Sequence, residues 1–556
     1  MVDFKFKTEP YTHQREAFER FKDATKFALF ADMGTGKSKI AIDICAYKFR
    51  QGEIDTCLII APNNVHTQWI REQLPLHCSV PYKAFVWKSG KMGRAQYARL
   101  LEEFLDIPTP DVLKVMAVNV EAFQSDSVVP TIAEYVKHSK PFIIIDEATR
   151  IKNRGAKRTK TIHKLNKYGV RCILTGTPTA KSPFDLWSQM EFLKADYFQC
   201  NYFVFQHRYG VMMRGVNPYN GGRYTSLIDE KTFSICRSKL AKAREARAGE
   251  LMPDDYETIA VQLSVSEKDV RFIETQEQYT RYKNLDRLKE YIAPDVVSTR
   301  KEDCLDLPPK VYERIFVDMT KEQARVYKNL KTELLATLDG HELTVTNKVA
   351  LTTRLMQITG GFFPFQREQE FIKGREHFMK MVGDAQPIGE DNAKLDALLA
   401  DIEETSDEQK IIIWAHFVPE LKAIHKALKD LYPTALYYGG TDQRDRDQII
   451  TDFKRGAYKI FVGNAATAGF GLNLQNATLQ YFFSNTFRTE DRLQAEDRSH
   501  RAGVKGTVVI KDIIARNTID ERIFANIKIG RDLNDFFKQI SLRELLTDSE
   551  EDDVEY

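Results

Sequence analysis

Between Phe27 and Ile42 the chain reads FALFADMGTGKSKIAI, a Gly-Lys-Ser turn set between two apolar runs. The first run, KFALFAD, is short and continuous, as a buried strand is. The second, SKIAIDICAYKF, spaces Ile40, Ile44 and Tyr47 at helical intervals. Glycines between a strand and a helix are the context that a phosphate-binding loop requires. Gly34 and Gly36 let backbone N–H groups converge on phosphate oxygens, and Met33 and Thr35 complete the cradle. Lys37 is placed to reach the β- and γ-phosphates of a nucleotide, and Ser38 to ligate Mg²⁺. Such a loop serves kinases, GTPases, transporters and helicases alike, so the remainder of the chain has to choose.

The chain has 556 residues, enough for several domains. Its hydrophobic content of 43% and charged content of 29% fit a globular protein with real cores. No apolar run approaches the ~20 residues that span a bilayer, and the N-terminus MVDFKFKTEP has no apolar signal core, so a cytoplasmic protein without a membrane partner is expected. The seven cysteines, Cys45 to Cys304, form no CxxC pair. Several lie inside apolar runs, where cysteine behaves as a small buried hydrophobe, which argues for a reducing compartment and no zinc site. A net charge of +2 decides nothing about nucleic acid, because a basic cleft can be offset by acidic surface elsewhere. The tail TDSEEDDVEY is such an acidic block, a solvated end or a contact for a protein partner.

PFIIIDEATRIKN, Pro141–Asn153, is a second strand ending in two carboxylates. Asp146 at that strand end can hold Mg²⁺, and Glu147 can polarise an attacking water. CILTGTPTAKSPFDLWSQMEFL (Cys172–Leu193) and CLIIAPNNVHTQWIREQL (Cys57–Leu74) repeat the plan of strand, polar turn and helix. Upstream, PYTHQREAFERF puts Gln14 on an amphipathic segment. Far downstream, KIIIWAHF, KIFVGNAATAGFGLNL and GTVVIKDII are buried-strand runs separated by helical stretches, which argues for a further α/β lobe. That lobe has no phosphate loop. It offers QAEDRSHRAGV, Gln494–Val504, in which Arg498 and Arg501 stand three apart and would share a helix face.

The loop form AxxGxGKS, with Ala31 where the general pattern has Gly, resembles that of superfamily 2 helicases. Asp146 and Glu147 resemble the DEAH box, with Thr149 in the last position. Within the superfamily the chain resembles the Swi/Snf-type ATPases in four segments: DEATRIKN with Lys152 and Asn153; the extended third motif with Asp185, Leu186 and Trp187; RKEDCLDLPPKVYERIFVDMTKEQARVY, Arg300–Tyr327; and YYGGTDQRDRDQIITDFKRG.

The resemblance implies an α/β fold with two RecA-like lobes of parallel sheets, joined by a mainly helical insertion. Residues 1–195 would form the first lobe, 196–390 the inter-lobe region, 391–530 the second lobe, and 531–556 a C-terminal helix and acidic tail. It implies a DNA-stimulated ATPase using ATP and Mg²⁺, with DNA, in duplex form, as partner. Gln14 would read adenine, and Gly471 would lie beside the nucleotide. Thr175, Thr177 and Gln494 would couple hydrolysis to movement. Pro62, Asn63, Trp69, Lys152 and Asn153 would touch DNA. Arg498 and Arg501 would act as arginine fingers on ATP held by Lys37 and its loop.

A strand-separating DNA or RNA helicase and an ATP-switched nucleic-acid-binding protein stand as alternatives. With no bromo-, chromo- or zinc-finger-like module beside the engine, a stand-alone bacterial or viral motor is expected. In the middle region, KTFSICRSKLAKAREARAGE carries Lys231, Arg237, Lys239, Lys242, Arg244 and Arg247, which fits either a phosphate-contacting helix or the solvated face of a packed one. LMPDDYETIAVQLSVSEKDV from Leu251 resembles LPPKVYERIFVDMTKEQARV from Leu307, as tandem β-rich edges or by chance.

Overall fold

The computed structural model describes residues 4–528 apart from 64, 89–94, 107–110, 126–127, 180–181, 217–222, 248, 305–306, 337–344, 374–375, 466–471, 473, 487, 502–503 and 505. The acidic tail and the segment before it therefore lie outside the described residues, as does Gly471. The chain divides into two compact units, one comprising Met1–Asp32 and Gly36–Arg300, the other Lys301–Tyr556 with Met33–Thr35. Residues 196–390 are thus shared between both units at Arg300.

In the first unit the strands are β1 (Lys26–Ala31), β2 (Thr56–Ala61), β3 (Tyr82–Val86), β4 (Leu113–Asn119), β5 (Pro141–Asp146) and β6 (Val170–Thr175). A hairpin, β7 (Met212–Val216) and β8 (Arg223–Leu227), follows, and then β9 (Val296–Thr299). Seven of them form one parallel sheet in the order β3-β4-β2-β5-β6-β1-β9. Parallel neighbours need crossover connections, and the covering helices bury the sheet on both faces. That is why β2 (TCLIIA) and β5 (PFIIID) read as unbroken apolar runs and are buried at every position. The neighbours β2-β5-β6-β1 share one direction, so the four segments singled out in the sequence all leave the carboxyl edge of the sheet. In open parallel sheets that edge is where ligands bind.

The second unit contains β10 (Lys310–Val317), the hairpin β11 (Phe362–Lys373) and β12 (Glu376–Pro387), then β13 (Ile411–Trp414), β14 (Thr434–Tyr437), β15 (Ile460–Gly463), β16 (Leu479–Phe482) and β17 (Val508–Ala515). Its parallel sheet runs β10-β17-β16-β13-β15-β14. Alternation along β13 feeds two cores: Ile412 and Trp414 pack with Phe461 and Phe482, while Ile411 and Ile413 pack with Ile460 and Leu421. The middle of the chain holds more helix than strand, with the hairpins β7–β8 and β11–β12 between the helices, and β9 and β10 extend the two sheets at their edges.

The two similar segments of the middle region fold differently. Their first halves form the helix Pro253–Leu263 in one and strand β10 in the other, while their second halves both begin helices, Glu267–Glu274 and Lys321–Ala336, so the pair is not a tandem of β-rich edges. All seven cysteines are free, five of them buried, and among the described residues no helix is long and apolar enough to cross a membrane.

One buried acid makes the second unit sensitive to pH. Glu420, 0% exposed on the helix Val418–Leu428, accepts hydrogen bonds from Ser484 Oγ at 2.5 Å and from the Phe417 N–H at 3.1 Å. Burial pushes its carboxyl up to about 7, against the hydrogen bond from Ser484 and the charge of Lys394. A folded-state value above the unfolded one means that the native state binds the proton more tightly. The stabilisation is therefore complete below the unfolded value and is lost as pH rises through about 7, with a slope approaching ~1.4 kcal/mol per pH unit in between. Glu420→Gln keeps an acceptor and removes the titration. Its stability relative to the parent, measured by urea unfolding, is expected to rise from pH 5 to pH 8; a constant difference would refute the assignment.

Candidate functional site

The phosphate loop leaves β1 at Ala31 and enters the helix Lys37–Arg50. Gly34 and Gly36 have φ of 83° and 88°, left-handed values that favour glycine. Gly36 has a second reason to lack a side chain: a Cβ there would lie 2.2 Å from Gln14 Nε2. Gln14 is buried on the helix Thr12–Phe21, and its Oε1 accepts the Tyr11 N–H at 3.1 Å. The structure thus brings Gln14 against the loop. Lys37 Nζ donates to the carbonyls of Ala31 at 2.5 Å and Asp32 at 3.0 Å, lying along its own loop. Thr35 is buried and Ser38 half-buried in the first helical turn, a helix N-terminus of the kind that accepts phosphate.

Asp146 ends β5, and Glu147 follows in the left-handed region (φ 53°, ψ 60°), an uncommon conformation outside glycine. Both carboxylate oxygens of Asp146 are held: Oδ1 accepts the Glu147 N–H at 3.0 Å, and Oδ2 accepts the indole N–H of Trp69 at 2.8 Å. Trp69 is 1% exposed. This corrects its assignment as a DNA contact, because its ring faces the core of the lobe and its one donor is committed. Pro62 is buried too, with its carbonyl taken by the His66 N–H at 3.2 Å; of that segment's candidates Asn63 alone is exposed.

Hard oxygen donors, the Ser38 hydroxyl and the Asp146 carboxylate, suit Mg²⁺. Among the described residues no group of three His, Cys, Asp or Glu side chains could hold a metal by itself.

Beyond Glu147, Lys152 pairs with Asp185 at 3.5 Å, so the cation is engaged inside its own lobe, while Asn153 stays exposed. Ser188 Oγ donates to the Ile151 carbonyl at 2.6 Å, so two bonds fasten this segment to the helix Asp185–Leu193. Thr175 is fully buried at the end of β6 and its Oγ1 accepts the Thr177 N–H at 3.2 Å. Gln189 Nε2 donates to the Pro178 carbonyl at 2.7 Å, tying that turn to the same helix.

In the second lobe the helix Thr489–Glu496 stops before the arginines. Arg498 and Arg501 therefore lie in the turn that follows, not on a shared helix face. Each uses its Nε to bind the carbonyl four residues back, Arg498 to Gln494 at 3.1 Å and Arg501 to Asp497 at 3.2 Å. Cationic side chains commonly satisfy the last carbonyls of a helix in this way. Gln494 is buried, and its Oε1 has no hydrogen-bond partner among the described residues.

A buried ionic cluster that sequence reasoning missed holds this turn. Lys301 Nζ donates to Asp497 Oδ1 at 2.9 Å and to the His500 carbonyl at 2.5 Å. Lys310 Nζ reaches Asp497 Oδ1 at 3.1 Å and Glu496 Oε2 at 3.0 Å, and Arg492 bridges Glu496 to Asp512. Burial alone would raise Glu496 and Asp497; Arg492 and Lys310 for the first, and Lys310 and Lys301 for the second, outweigh it and hold both below their ordinary range. The only sequence signal was the presence of Lys301 and Lys310 in the inter-lobe motif.

The basic helix Glu230–Ala246 and its end are largely engaged in packing. Arg244 pairs with Glu274 at 2.5 Å, Arg247 with Asp255 at 2.9 Å, Lys239 binds Gln262 at 2.7 Å, and Arg237 binds the carbonyl of Glu277 at 2.7 Å. Lys231 and Lys242 are exposed.

A nucleotide-binding parallel sheet, followed by a second parallel sheet that presents braced arginines, defines the helicase class of ATPases. The family model described as the SNF2-related domain matches residues 23–360, more than half of the chain, and the helicase conserved C-terminal domain matches residues 392–503. The chain belongs to the SNF2-related family.

It is 24% identical to the ATP-dependent helicase fft1 of Schizosaccharomyces pombe, over 90% of this chain and 49% of that protein. It is 23% identical to the mouse (Mus musculus) DNA excision repair protein ERCC-6-like, over 92% of this chain and 40% of that protein. The chain thus spans half or less of the length of these curated relatives. A solved structure, the Sulfolobus solfataricus SWI2/SNF2 ATPase core in complex with dsDNA, aligns over 99% of both chains at 20% identity with a TM-score of 0.36.

Proposed function

We infer that the chain hydrolyses ATP with Mg²⁺ and couples that hydrolysis to movement on double-stranded DNA without separating the strands. Lys37 binds the β- and γ-phosphates, and Ser38 and Asp146 would hold Mg²⁺, which neutralises phosphate charge when bound. Glu147 orients and polarises the attacking water, and Arg498 with Arg501 stabilises charge on the transferring phosphoryl group. The observation that carries this reading is the bracing of the arginine turn. A sheet without a phosphate loop holds the turn of two arginines with Lys301, Lys310, Arg492, Glu496 and Asp497, of which Arg492 and Glu496 are buried and the other three half-buried. A protein that only binds nucleic acid has no use for an arginine turn held by ion pairs that cost desolvation.

The test is the ATPase rate with no nucleic acid, single-stranded DNA, duplex DNA and RNA, alongside triplex and strand displacement. The expected result is strongest stimulation by duplex, displacement of a triplex-forming strand, and no unwinding. Stimulation by RNA or single strands alone would overturn the duplex assignment, and unwinding would favour a strand-separating helicase. Lys37→Ala is expected to lose nucleotide binding throughout.

A further inference from the structure

Trp69 does not sit where a contact to a DNA backbone could be made, so its placement calls for another account. An indole offers one donor, and a buried indole usually finds it a partner. Here the partner is Asp146, the carboxylate assigned above to Mg²⁺. With the Glu147 N–H on Oδ1 and the Trp69 N–H on Oδ2, a donor stands on each oxygen and the plane of the carboxylate is set.

The backbone that delivers Trp69 is itself unusual. Trp69–Gln73 form a turn of π-helix, closed by the Leu74 N–H on the Trp69 carbonyl. Pro75, at the start of the next helical turn, accounts for the widening: it has no N–H for the Arg71 carbonyl, and its ring would clash there in a regular α-helix. Such turns recur at functional sites. The segment therefore runs from exposed Asn63 at the carboxyl edge, through the helix Val65–Gln68, to the donor on Asp146, in fewer than ten residues.

We propose that Trp69 is a positioning residue that orients the Asp146 carboxylate toward the nucleotide's metal, and so tunes metal affinity through the indole hydrogen bond. The proposal rests on the ATP and Mg²⁺ reading above. Outer hydrogen bonds to metal-ligating groups are worth roughly 10- to 100-fold in metal affinity.

The experiment is binding of a fluorescent ATP analogue across a Mg²⁺ titration and in EDTA, for the parent, Trp69→Phe, Asp146→Asn and the double variant. Trp69→Phe keeps an aromatic ring and removes the donor. Its half-saturating Mg²⁺ concentration is expected to rise roughly tenfold, with affinity in EDTA unchanged. In the Asp146→Asn background Trp69→Phe is expected to add little, since the two act through one carboxylate. The EDTA arm on the same sample corrects for any loss of folded protein. A purely structural tryptophan would weaken binding equally with and without Mg²⁺. That result, an unchanged Mg²⁺ requirement, or full additivity in the double variant would overturn the proposal. A parent whose nucleotide binding ignores Mg²⁺ would overturn the functional reading itself, and the proposal with it.

Discussion

Arg498→Ala is expected to lower the duplex-stimulated rate of ATP hydrolysis by roughly 10³- to 10⁵-fold, the range found for arginines that stabilise a transferring phosphoryl group. Nucleotide and DNA binding should persist, because the phosphate loop with Lys37 and the exposed surfaces are untouched. The fold of the second lobe should persist as well. The ionic cluster of Lys301, Lys310, Arg492, Glu496 and Asp497 does not include Arg498, whose bonds include those to the carbonyls of Gln494 and Leu472. Arg498→Lys is not expected to restore the rate, since a point charge on a flexible stem does not reproduce a planar fork of donors. Single-turnover hydrolysis at saturating duplex, with nucleotide affinity measured separately, checks this. A variant that hydrolyses at the parent rate would remove Arg498 from the reaction and leave its place to Arg501.

Glu147→Gln is expected to slow turnover by about 10²- to 10⁴-fold, the usual contribution of a positioned acid–base group. Glutamine keeps the length of the side chain and cannot act as the base. The backbone N–H that supports Asp146 Oδ1 is unaffected, so the carboxylate assigned to Mg²⁺ in the proposed function keeps its orientation. ATP should accordingly be bound and held, and rapid gel filtration should recover a larger fraction of intact nucleotide with the variant than with the parent. Parent-like steady-state turnover would exclude Glu147 as the water-polarising group.

What the sequence made legible was local. Strand, glycine turn and helix lie within the sixteen residues of the opening stretch, and the left-handed φ of Gly34 and Gly36 is a property of the chain itself. The unbroken apolar runs of β2, β5 and β13 marked strands buried on both faces, because a period of two vanishes when neither face meets water. What stayed hidden depends on partners distant in sequence. The family pattern places Trp69 on DNA, whereas its partner Asp146 lies 77 residues away. Arg498 and Arg501 were recognised as a pair, but their turn is fixed by Lys301, 196 residues from Asp497. A spacing of three reads as a helix face until something ends the helix. The basic helix behaves likewise, its charges looking free until Glu274 and Asp255 arrive from the following helices.

The left-handed backbone at Glu147 has a consequence for anyone who improves this protein by selection. Holding a non-glycine residue there costs on the order of 1–3 kcal/mol, which glycine would recover. The hydrogen bond to Asp146 comes from the backbone, so it would survive the exchange. A campaign that ranks variants by melting temperature would be drawn to Glu147→Gly wherever the relieved strain exceeds the extra folding entropy of glycine, and under the reading proposed above it would enrich well-folded, inert protein. If Glu147 polarises the attacking water as proposed, thermostability and turnover pull in opposite directions at this position, and a library has to be sorted on catalysis first.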